Sequence, residues 1–562
     1  MTRSVHIVER MRWMSALVGA AVVAIAVAIA LGATNGQLRT VVSGAASSPT
    51  SGGSSAPLDP RIATVAARHP GTVLQAIVQF NAPVTRAKAQ ADATRVHGRV
   101  IGNLPIIHGF AVELTAARAR SLAANPDVHA VSLNTAVAPQ SVPYGHLPFQ
   151  MAGPGVSGAQ LQTTYDQTLG VLPLWKVGVT GTGVGVAVVD TGVDGSLPDF
   201  ASKDHGSSRV VASAVANADA TTATDSYGHG TDVAGIIAGN GDNRGSGDPL
   251  HGQYIGVAPN ANLISIKVSD ETGKASVLDV IYGLQFAVAH QSQFNIRVIN
   301  LSLDSTTPQS YKTDPLDAAV ESAWLHGIVV VTAAGNRDSA SDAVQYAPAN
   351  DPYAVTVGGV DENGSANPGG DTIASWSSRG TTQDGLQKPD VYAPGAHIVS
   401  VLAPNSEFAT SCSCIVGNGQ YIQTSGTSMA APMISGLVAD LLQIHPNWTP
   451  NQVKGALTSS AVTDNSSFQE PNGVKAALLS NPPVADQGLT PSTLVNAATG
   501  DINYKLSSWS LSSWSRASGA LRAGFALSSW SCTDCSAGSS PGTTPSMSSW
   551  SMSSWSTVQP PG

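Results

Sequence analysis

The sequence predicts an α/β fold: a mostly parallel sheet covered by helices on both faces, preceded by a ferredoxin-like α+β domain and followed by a low-complexity tail. Between residues 163 and 482, short apolar runs alternate with helical stretches. Runs such as VGVAVVD at 184–190 and IVVVTAAG at 328–335 are rich in β-branched residues, which indicates strands buried on both faces of a parallel sheet. The segments 263–268, 298–303 and 353–359 are strand candidates of the same kind. Residues 483–562, rich in Ser, Gly, Thr and Trp, predict a disordered tail.

Residues 1–33 predict an export segment. Arginines at positions 3, 10 and 12 precede the uncharged apolar stretch 13–31, an order typical of a signal peptide. Small residues at Ala28, Ala30 and Ala33 offer cleavage sites. The stretch is also close to the ~20 residues that span a bilayer, so an uncleaved anchor is the alternative. We therefore expect a secreted protein, or a membrane-anchored one that faces outside.

The next segments predict a linker and a small domain. Residues 34–60 are rich in Ser, Gly, Ala and Pro and cannot form a core. Within 61–138, the apolar periodicity predicts strands at 72–80, 99–103, 106–114 and 128–134, and helices at 82–96 and 115–125. That βαββαβ order is the ferredoxin-like arrangement. Residues 139–162 then connect this domain to the α/β domain at 163–482.

Composition excludes several classes of protein. Lys and Arg number 28 against 37 Asp and Glu, and this net charge of -9 argues against a nucleic-acid binder that relies on a basic surface. The 42% of hydrophobic residues exclude disorder throughout the chain. GTGVGV at 181–186 imitates a dinucleotide-binding loop, but it precedes its strand instead of following one.

Three polar residues stand among small residues where apolar runs stop. Asp190 ends its strand, His229 lies in YGHGTDVAG, and Ser428 lies in SGTSMAAP. A serine hydroxyl becomes a nucleophile when an imidazole takes its proton, and a carboxylate fixes the tautomer of that imidazole. These residue types, in the order Asp, His, Ser, therefore predict a catalytic triad.

The surroundings of these residues predict an oxyanion hole. His229 and Ser428 both precede small-residue and apolar stretches that predict buried helices beginning at the reactive residue. A helix start presents unpaired N–H groups, so the N–H of Ser428 can hold an oxyanion. Asn336, at the end of IVVVTAAGN, supplies an amide as the second donor.

These motifs resemble those of the subtilisin-like (subtilase) serine peptidases. VAVVDTGVD, HGTDVAG, AAGN and GTSMAAP are similar to the four signature blocks of that family, and the resemblance covers about residues 163–477. It implies Asp190, His229 and Ser428 as the triad and Asn336 as oxyanion donor. It also implies a protein or peptide substrate, a monomer, and no cofactor for the chemistry. Two backbone stretches would clamp an extended peptide by strand addition: Ser302, Leu303 and Asp304, and Ala333, Ala334 and Gly335.

The domain at 61–138 is similar to the inhibitory propeptide of that family. The resemblance implies that this domain acts as an intramolecular inhibitor, and that the enzyme removes it by cleavage between about residues 134 and 157. A permanent accessory domain is the alternative. Two other classes of function stay open, namely an idle protease-fold binding module and an envelope-tethered structural protein acting through its tail. A Ser-Glu-Asp peptidase is disfavoured by His229.

The sequence also departs from the family pattern. Asp232 and Met433 stand where the family usually has histidine, outside the triad. Asp304 replaces a glycine common in the clamping strand. A carboxylate there predicts a preference for Arg or Lys before the cut, and a solvent-facing loop charge is the alternative.

Calcium and disulfides are further expectations. The loop 239–252 is rich in oxygen ligands, and Asp199 matches a calcium-binding aspartate of many relatives. Asp199 and Asp242 are therefore candidate ligands for a structural calcium, with a solvated loop as the alternative. Export makes disulfides plausible, but Cys412, Cys414, Cys532 and Cys535 allow three pairings.

The tail carries a repeat. SSWS occurs at 507–510, 512–515, 528–531, 548–551 and 553–556, with no solenoid or helical period. A tryptophan within a polar segment is suited to stacking on carbohydrate or aromatic partners, or to a membrane interface. Association with the cell envelope is therefore one hypothesis. A disordered linker or secretion tail is the alternative.

Overall fold

A computed structural model describes residues 56–139 and 164–492, except 205, 413 and 463–467. The predicted export segment, the connection at 140–163, the SSWS repeats, Cys532 and Cys535 lie outside the described residues. Described strands and helices are numbered below in chain order.

The four predicted strands of the N-terminal domain form one antiparallel sheet with the order β2-β3-β1-β4. This order confirms the ferredoxin-like arrangement. The strands are β1 (Val73–Phe80), β2 (Arg99–Leu104), β3 (Gly109–Thr115) and β4 (Val128–Leu133), and the helices are α1 (Pro60–Arg68), α2 (Arg86–Arg95) and α3 (Ala116–Ala123).

Two boundaries in this domain differ from the prediction. Helix α1 lies partly in the predicted linker, because Asp59 caps it by accepting from the N–H of Arg61 and Pro60 starts it. Helix α2 begins later than position 82, because the Thr85 side chain accepts from the N–H of Lys88 and caps it. Both caps are short-range polar contacts that an apolar pattern does not report.

The sheet of the N-terminal domain has two buried faces. Along β1, Ala76, Val78 and Phe80 join the domain's own core, whereas Ile77 joins the core of the following domain. The approach is close: a Cβ at Gly102 would lie 1.8 Å from the hydroxyl oxygen of Tyr282, so only glycine fits there. The two domains therefore share a packed apolar interface.

The second domain is built on a mostly parallel sheet, as predicted. Its strand order is β14-β13-β12-β10-β6-β8-β7, with β17 beside β13 and only β14 running antiparallel. These strands are β6 (Gly185–Asp190), β7 (Val210–Val215), β8 (Asn262–Lys267), β10 (Ile296–Leu301), β12 (Val329–Ala333), β13 (Val355–Asp361), β14 (Thr372–Ile373) and β17 (Val391–Pro394). The smaller strands are β5 (Ala136–Pro139), β9 (Ala275–Ser276), β11 (Leu303–Ser305), β15 (Gly380–Thr381), β16 (Gln387–Lys388), β18 (Ile398–Val401), β19 (Ile415–Val416) and β20 (Tyr421–Thr424).

Helices cover this sheet. They are α4 (Tyr165–Thr168), α5 (Leu172–Lys176), α6 (His229–Ala238), α7 (Val277–Ala289), α8 (Gln291–Phe294), α9 (Pro315–Leu325), α10 (Glu407–Ser411), α11 (Thr427–Ile444), α12 (Pro450–Ser459) and α13 (Gly473–Ala477). Helix α11 is long and apolar enough to cross a bilayer, but 89% of it is buried inside the domain, as expected of a core helix.

The domain continues past residue 482, where the tail was predicted to begin. The carboxylate of Glu321 accepts from the N–H of Ser492 at 2.8 Å, and Nζ of Lys454 lies 3.2 Å from Oδ1 of Asp486. These groups are buried or nearly so, so residues up to 492 complete the domain surface. Composition did not indicate these contacts of residues 483–492, because it does not report pairing with distant residues.

Candidate active site

The carboxyl edge of the parallel sheet brings Asp190 and His229 together. Asp190 is the last residue of β6, and His229 is the first residue of α6. Nδ1 of His229 lies 2.7 Å from Oδ1 of Asp190, and both side chains are buried. The second carboxylate oxygen and Nε2 of His229 have no hydrogen-bond partner among the described residues. The carboxylate therefore holds the imidazole with Nε2 available for proton transfer.

Three carboxylates set the charge state of His229. Burial lowers the pKa of the imidazole, whereas the charge of Asp190, the hydrogen bond that Nδ1 donates to Asp190, and the charges of Asp232 and Asp225 raise it. The net pKa of His229 is raised. Asp232, the departure from the family pattern, is buried and accepts from the hydroxyl of Thr424 at 2.9 Å. Burial raises the pKa of Asp232 to about 7.

Asp225 is a positioning residue that the sequence analysis missed. Its Oδ1 accepts from the N–H of Gly228 at 2.7 Å and from the hydroxyl of Thr191 at 2.8 Å, and its Oδ2 accepts from the N–H of Thr231 at 2.8 Å. These bonds tie the start of α6 to the residue after Asp190. A signal was present in the sequence, since an aspartate just before a predicted helix start is typical of a cap.

Ser428 lies in the first turn of α11, as predicted, and is fully buried. Its hydroxyl donates to the backbone carbonyl of Ser302 at 3.0 Å, and the hydroxyl of Ser302 donates to the carbonyl of Ser428 at 3.0 Å. Asn300 donates in turn to the hydroxyl of Ser302 at 2.9 Å. The nucleophile candidate is therefore hydrogen-bonded to Ser302, and must rotate to meet His229.

Asn336 is fixed beside the start of the same helix. Its Oδ1 accepts from the N–H of Thr427 at 3.0 Å and from the Thr427 hydroxyl at 3.1 Å. Because the carbonyl oxygen of the amide is committed to Thr427, the NH2 group is the part that can donate to an oxyanion. The backbone N–H of Ser428, in the first turn of α11, is oriented as a helix-terminal donor.

A strand of the chain itself occupies the predicted peptide clamp. β5 pairs antiparallel with β11, with Pro139 opposite Leu303, Ala138 opposite Asp304 and Val137 opposite Ser305. On its other side, β5 pairs antiparallel with β9. Val137 and Pro139 line a small cavity together with Asp190 and Thr191, so the strand lies next to the Asp190–His229 pair.

The second half of the clamp differs from the prediction. β9, which the sequence analysis missed, is the second strand paired with β5. The predicted segment is engaged elsewhere: the N–H of Ala334 donates to the carbonyl of Val357 at 2.9 Å, and the N–H of Gly335 donates to the hydroxyl of Thr427 at 3.1 Å. Ala333 ends β12. The segment 333–335 therefore holds Asn336 in place, and β9 and β11 are the two strands that pair with β5.

The solvent-facing alternative for Asp304 is wrong, whereas the preference for Arg or Lys before the cut stays a prediction. Asp304 is fully buried, so its charge does not face solvent. Its carboxylate accepts from both terminal nitrogens of Arg337, with Nη2 at 3.2 Å from Oδ1. The charge that was expected to attract a basic substrate side chain is thus already neutralised. Arg337 was missed because it lies 33 positions from Asp304 in the sequence.

The predicted calcium ligands Asp199 and Asp242 contact other groups of the protein. Oδ1 of Asp199 accepts from the N–H of Gly241 at 2.7 Å, and Oδ1 of Asp242 lies 3.6 Å from Nδ1 of His251. Asp199 Oδ2 has no hydrogen-bond partner, yet among these residues no group of three His, Cys, Asp or Glu side chains could hold a metal ion. Burial raises the pKa of Asp199 to about 7. A calcium held partly by backbone and amide oxygens of the loop therefore stays a prediction.

A buried arginine, Arg209, supplies a positive charge beside Asp199. Arg209 donates to the carbonyls of Asp199 at 2.8 Å, Ala238 at 2.6 Å and Ala261 at 3.1 Å. Its Nε donates to the carbonyl of Ala201 at 3.2 Å. One guanidinium thus gathers four carbonyl oxygens from three separate segments of the chain, as a bound hard cation would.

A disulfide joins Cys412 to Cys414 in the loop before β20. The disulfide packs with the small apolar cluster formed by Leu402, Cys414 and Ile422. Of the three pairings left open by the sequence, the structure has the one that links these two neighbours.

Comparisons with known proteins agree with this geometry. A model of the subtilase family, peptidase S8, matches residues 181–482. The chain is 38% identical over 299 residues to serine protease AprX of Bacillus subtilis, covering 52% of this chain and 64% of that protein. It is 36% identical over 303 residues to subtilisin of Bacillus pumilus, covering 54% of this chain and 92% of that protein.

A solved structure is also similar. Fervidolysin from Fervidobacterium pennivorans, described as a keratinolytic enzyme related to subtilisin, matches with a TM-score of 0.55 and 26% identity. The match covers 74% of this chain and 62% of fervidolysin. The chain thus spans just under two thirds of the length of AprX and of fervidolysin.

Proposed function

The chain belongs to the subtilase family, and from that premise we propose that it is an exported serine endopeptidase that hydrolyses peptide bonds of proteins through an acyl-enzyme. The observation that carries the proposal is the Asp190–His229 pair at the carboxyl edge of the sheet, with Ser428 at the start of a neighbouring helix. This combination supplies nucleophile, base and orienting carboxylate.

In the proposed reaction, the hydroxyl of Ser428 leaves the carbonyl of Ser302 and turns towards Nε2 of His229. The hydroxyl oxygen attacks the substrate carbonyl while Nε2 takes the proton, and Asp190 stabilises the imidazolium. The NH2 group of Asn336 and the N–H of Ser428 hold the oxyanion. His229 then gives the proton to the leaving amine, and water repeats the sequence on the acyl-enzyme.

A serine-directed fluorophosphonate tests this chemistry. We expect one label, on Ser428, with loss of casein hydrolysis, and no label on Ser428→Ala. Ser435→Ala, which lies on the same helix and donates to Asn300, is the matched control and should still be labelled. Absence of label on correctly folded wild-type protein would instead support an idle binding module.

We further propose that residues 56–139 act as an inhibitory propeptide. β5 lies in the peptide clamp as a substrate would, which blocks access for another peptide. Just before β5, the carbonyl of Thr135 accepts from the N–H of Val277 at 2.8 Å and Oδ1 of Asn134 accepts from the N–H of Leu278 at 3.1 Å. These bonds satisfy the first N–H groups of α7, so the N-terminal domain also caps a helix of its partner.

Self-processing is tested by the mass of the purified protein. Wild-type protein should lose the N-terminal domain, whereas Ser428→Ala should keep it, since the nucleophile that cuts is absent. A Ser428→Ala chain that is processed equally in a protease-deficient host would show that another protease does the cutting. Wild-type protein that stays intact while active would favour the permanent accessory domain.

Export and envelope association complete the proposal and depend on the sequence patterns at 1–33 and 483–562. Fractionation of cells that express the full chain should place the protein outside the cytoplasm. Truncation after Leu506 should reduce its retention on the envelope if the SSWS repeats tether it. Equal retention of the full and truncated chains would assign the tail another role.

A further inference from the structure

We propose that Phe408 is a positioning residue for His229 and that the Cys412–Cys414 disulfide holds Phe408 in place, so that reduction of this disulfide lowers turnover. The inference rests on the proposed peptidase function and adds a control of the same site. Phe408 lies on the short helix α10, which ends at Ser411, directly before Cys412.

The ring of Phe408 lies against the imidazole of His229. The two ring centres are 6.4 Å apart, and the ring planes are inclined at 84°. Edge-to-face contacts of this kind are favourable and orient the two rings relative to each other. Asp190 holds the imidazole at Nδ1, and Phe408 supplies a further contact that limits rotation of the ring.

Proton transfer depends on this orientation. Nε2 of His229 must face the hydroxyl of Ser428 when that hydroxyl leaves the carbonyl of Ser302. An imidazole that turns about its hydrogen bond to Asp190 spends part of its time away from the nucleophile, and a misplacement of about 1 Å can cost about 10²-fold in rate. Because Phe408 acts through His229, we expect its effect in kcat.

Backbone hydrogen bonds join α10 to the residues before His229. The N–H of Glu407 donates to the carbonyl of Ser226 at 2.8 Å, and the N–H of Phe408 donates to the carbonyl of Tyr227 at 3.0 Å. The rings of Tyr227 and Phe408 are also in contact, with centres 5.0 Å apart. The position of α10 therefore sets the position of Phe408 relative to the start of α6.

Gly228 shows how closely the two segments approach. A Cβ at Gly228 would lie 2.7 Å from Oγ of Ser406 and 2.9 Å from Cβ of Phe408, and the φ of +110° also favours glycine. The backbone before His229 is thus in direct contact with the segment that carries Phe408. A displacement of α10 away from this backbone removes the contact between Phe408 and the imidazole.

The disulfide fixes the other end of α10. The N–H of Cys412 donates to the carbonyl of Phe408 at 3.2 Å. Cys414 is buried, and its carbonyl accepts from the N–H of Gln423 in β20 at 2.9 Å. The S–S bond therefore joins the end of α10 to a residue that is held by β20, the strand that leads to Ser428.

Apolar packing connects the disulfide to Phe408. Phe408 and Cys412 both pack against the cluster formed by Leu402, Cys414 and Ile422. When the S–S bond is broken, Cys412 is no longer tied to the buried Cys414. The end of α10 can then leave the cluster, and Phe408 moves with it.

Reduction begins at Cys412, because its side chain is partly exposed whereas Cys414 is 2% exposed. A thiolate of a dithiol such as dithiothreitol attacks Sγ of Cys412, the S–S bond breaks, and Cys414 leaves as a thiolate that takes up a proton. The second thiol of the reagent loses its proton, attacks the mixed disulfide and releases Cys412 as a thiol. The dithiol is thereby oxidised to a cyclic disulfide, and the protein gains two thiols. Because disulfides persist in oxidising compartments, we expect full activity there.

Steady-state kinetics of two variants tests the positioning role. Phe408→Leu keeps an apolar side chain but lacks the ring, and it should lower kcat about 10-fold while KM changes by less than about twofold. Phe408→Tyr keeps the ring at a partly exposed position, and its kcat should stay within about twofold of wild type. An unchanged kcat in Phe408→Leu, or a rise in KM at constant kcat, would overturn the role of Phe408. If Phe408→Leu does not fold, the response to reduction decides.

Reduction of the folded protein tests the disulfide. Cys532→Ser/Cys535→Ser leaves Cys412 and Cys414 as the two cysteines of the chain. In this protein, dithiothreitol should release two thiols and lower kcat at least about threefold, and reoxidation should restore kcat. Cys412→Ser/Cys414→Ser should have the lower kcat from the start and should not respond to the reagent.

Two results would overturn the role of the disulfide. One is an unchanged kcat after two thiols have been counted, and the other is a wild-type kcat in Cys412→Ser/Cys414→Ser. If dithiothreitol releases no thiols, the serine variant decides. If the serine variant does not fold, the reversible reduction decides.

Labelling separates this inference from the proposed function. Each folded variant should still reach one fluorophosphonate label on Ser428, at a rate that falls together with kcat. Full labelling with wild-type rates in Phe408→Leu and in the reduced protein would overturn this inference alone. Wild-type protein that shows neither turnover nor label would overturn the proposed function, and this inference with it.

Discussion

Nδ1 of His229 lies 2.7 Å from Oδ1 of Asp190, at the point where a central parallel strand ends and a buried helix begins. The strand and the helix are buried, and Asp225 ties them together through Thr191 and Gly228. The pair therefore keeps its orientation before a substrate arrives, which is the condition for efficient proton transfer.

Replacement of Asp190 by Asn should remove most of the activity without unfolding the protein. An amide cannot stabilise the imidazolium and favours the wrong tautomer, so we expect kcat to fall about 10⁴-fold. Steady-state kinetics on a peptide substrate measures the loss, and circular dichroism checks the fold. Asp219→Asn, at an exposed position, should keep wild-type kcat; a similar loss there would point to a general effect of charge.

Activity should rise with pH through the pKa of His229. The imidazole must be neutral to accept the proton of Ser428, and its pKa lies above the ordinary value of about 6.5. The rate is therefore lost as pH falls through that raised pKa. The same shift stabilises the fold below pH about 6.5, and this contribution disappears as pH rises through the raised pKa. A kcat/KM profile whose acid limb lies below 6.5 would contradict the assignment.

Asn336→Ala should lower kcat while changing KM little. The amide NH2 acts on the oxyanion, which exists only in the transition state and the intermediate, so we expect a loss of about 10²–10³-fold in kcat. The Ser428 N–H remains as the other donor. A rise in KM at constant kcat would show instead that Asn336 binds the substrate in its ground state.

Stability of the domain beside the 239–252 loop should depend on Arg209 and not on calcium. Arg209→Met removes the buried guanidinium that donates to four carbonyls, so the free energy of unfolding should fall by about 3–5 kcal/mol. Thermal denaturation of wild-type protein with and without a chelator should give the same Tm. A Tm that drops with chelator and recovers with calcium would show that the loop binds the metal after all.

The maturation cut should fall between Gln140 and Ser141. Pro139, the last described residue of β5, lies opposite Leu303, and the carbonyl of the preceding Ser302 accepts from the hydroxyl of Ser428. We therefore expect the cut one residue after Pro139, and this bond lies within the range 134–157 expected from the sequence. N-terminal sequencing of the processed protein should begin at Ser141. A single start elsewhere in the range would show that the strand shifts register before cleavage.

Much of the fold followed from the pattern of residues. The buried strands and the helices beginning at His229 and Ser428 were predicted because long apolar runs leave few alternatives. Helix α1 and residues 483–492 were not, because Asp59, Glu321 and Lys454 act through specific polar contacts with no period in the sequence.

The functional site also has one part that the sequence predicted and another that only the structure revealed. Asp190, His229, Ser428 and Asn336 could be named from the sequence, since each lies in a short local motif and the chemistry demands those residue types. Tertiary structure alone decided that Asp304 is paired with Arg337 and that Arg209 binds the carbonyls of Asp199 and Ala238, beside the loop where calcium was expected. It also assigned the second clamp strand to β9. The physical reason is that motifs arise from neighbours in the chain, whereas the state of a buried charge depends on which distant group folding brings within hydrogen-bond distance.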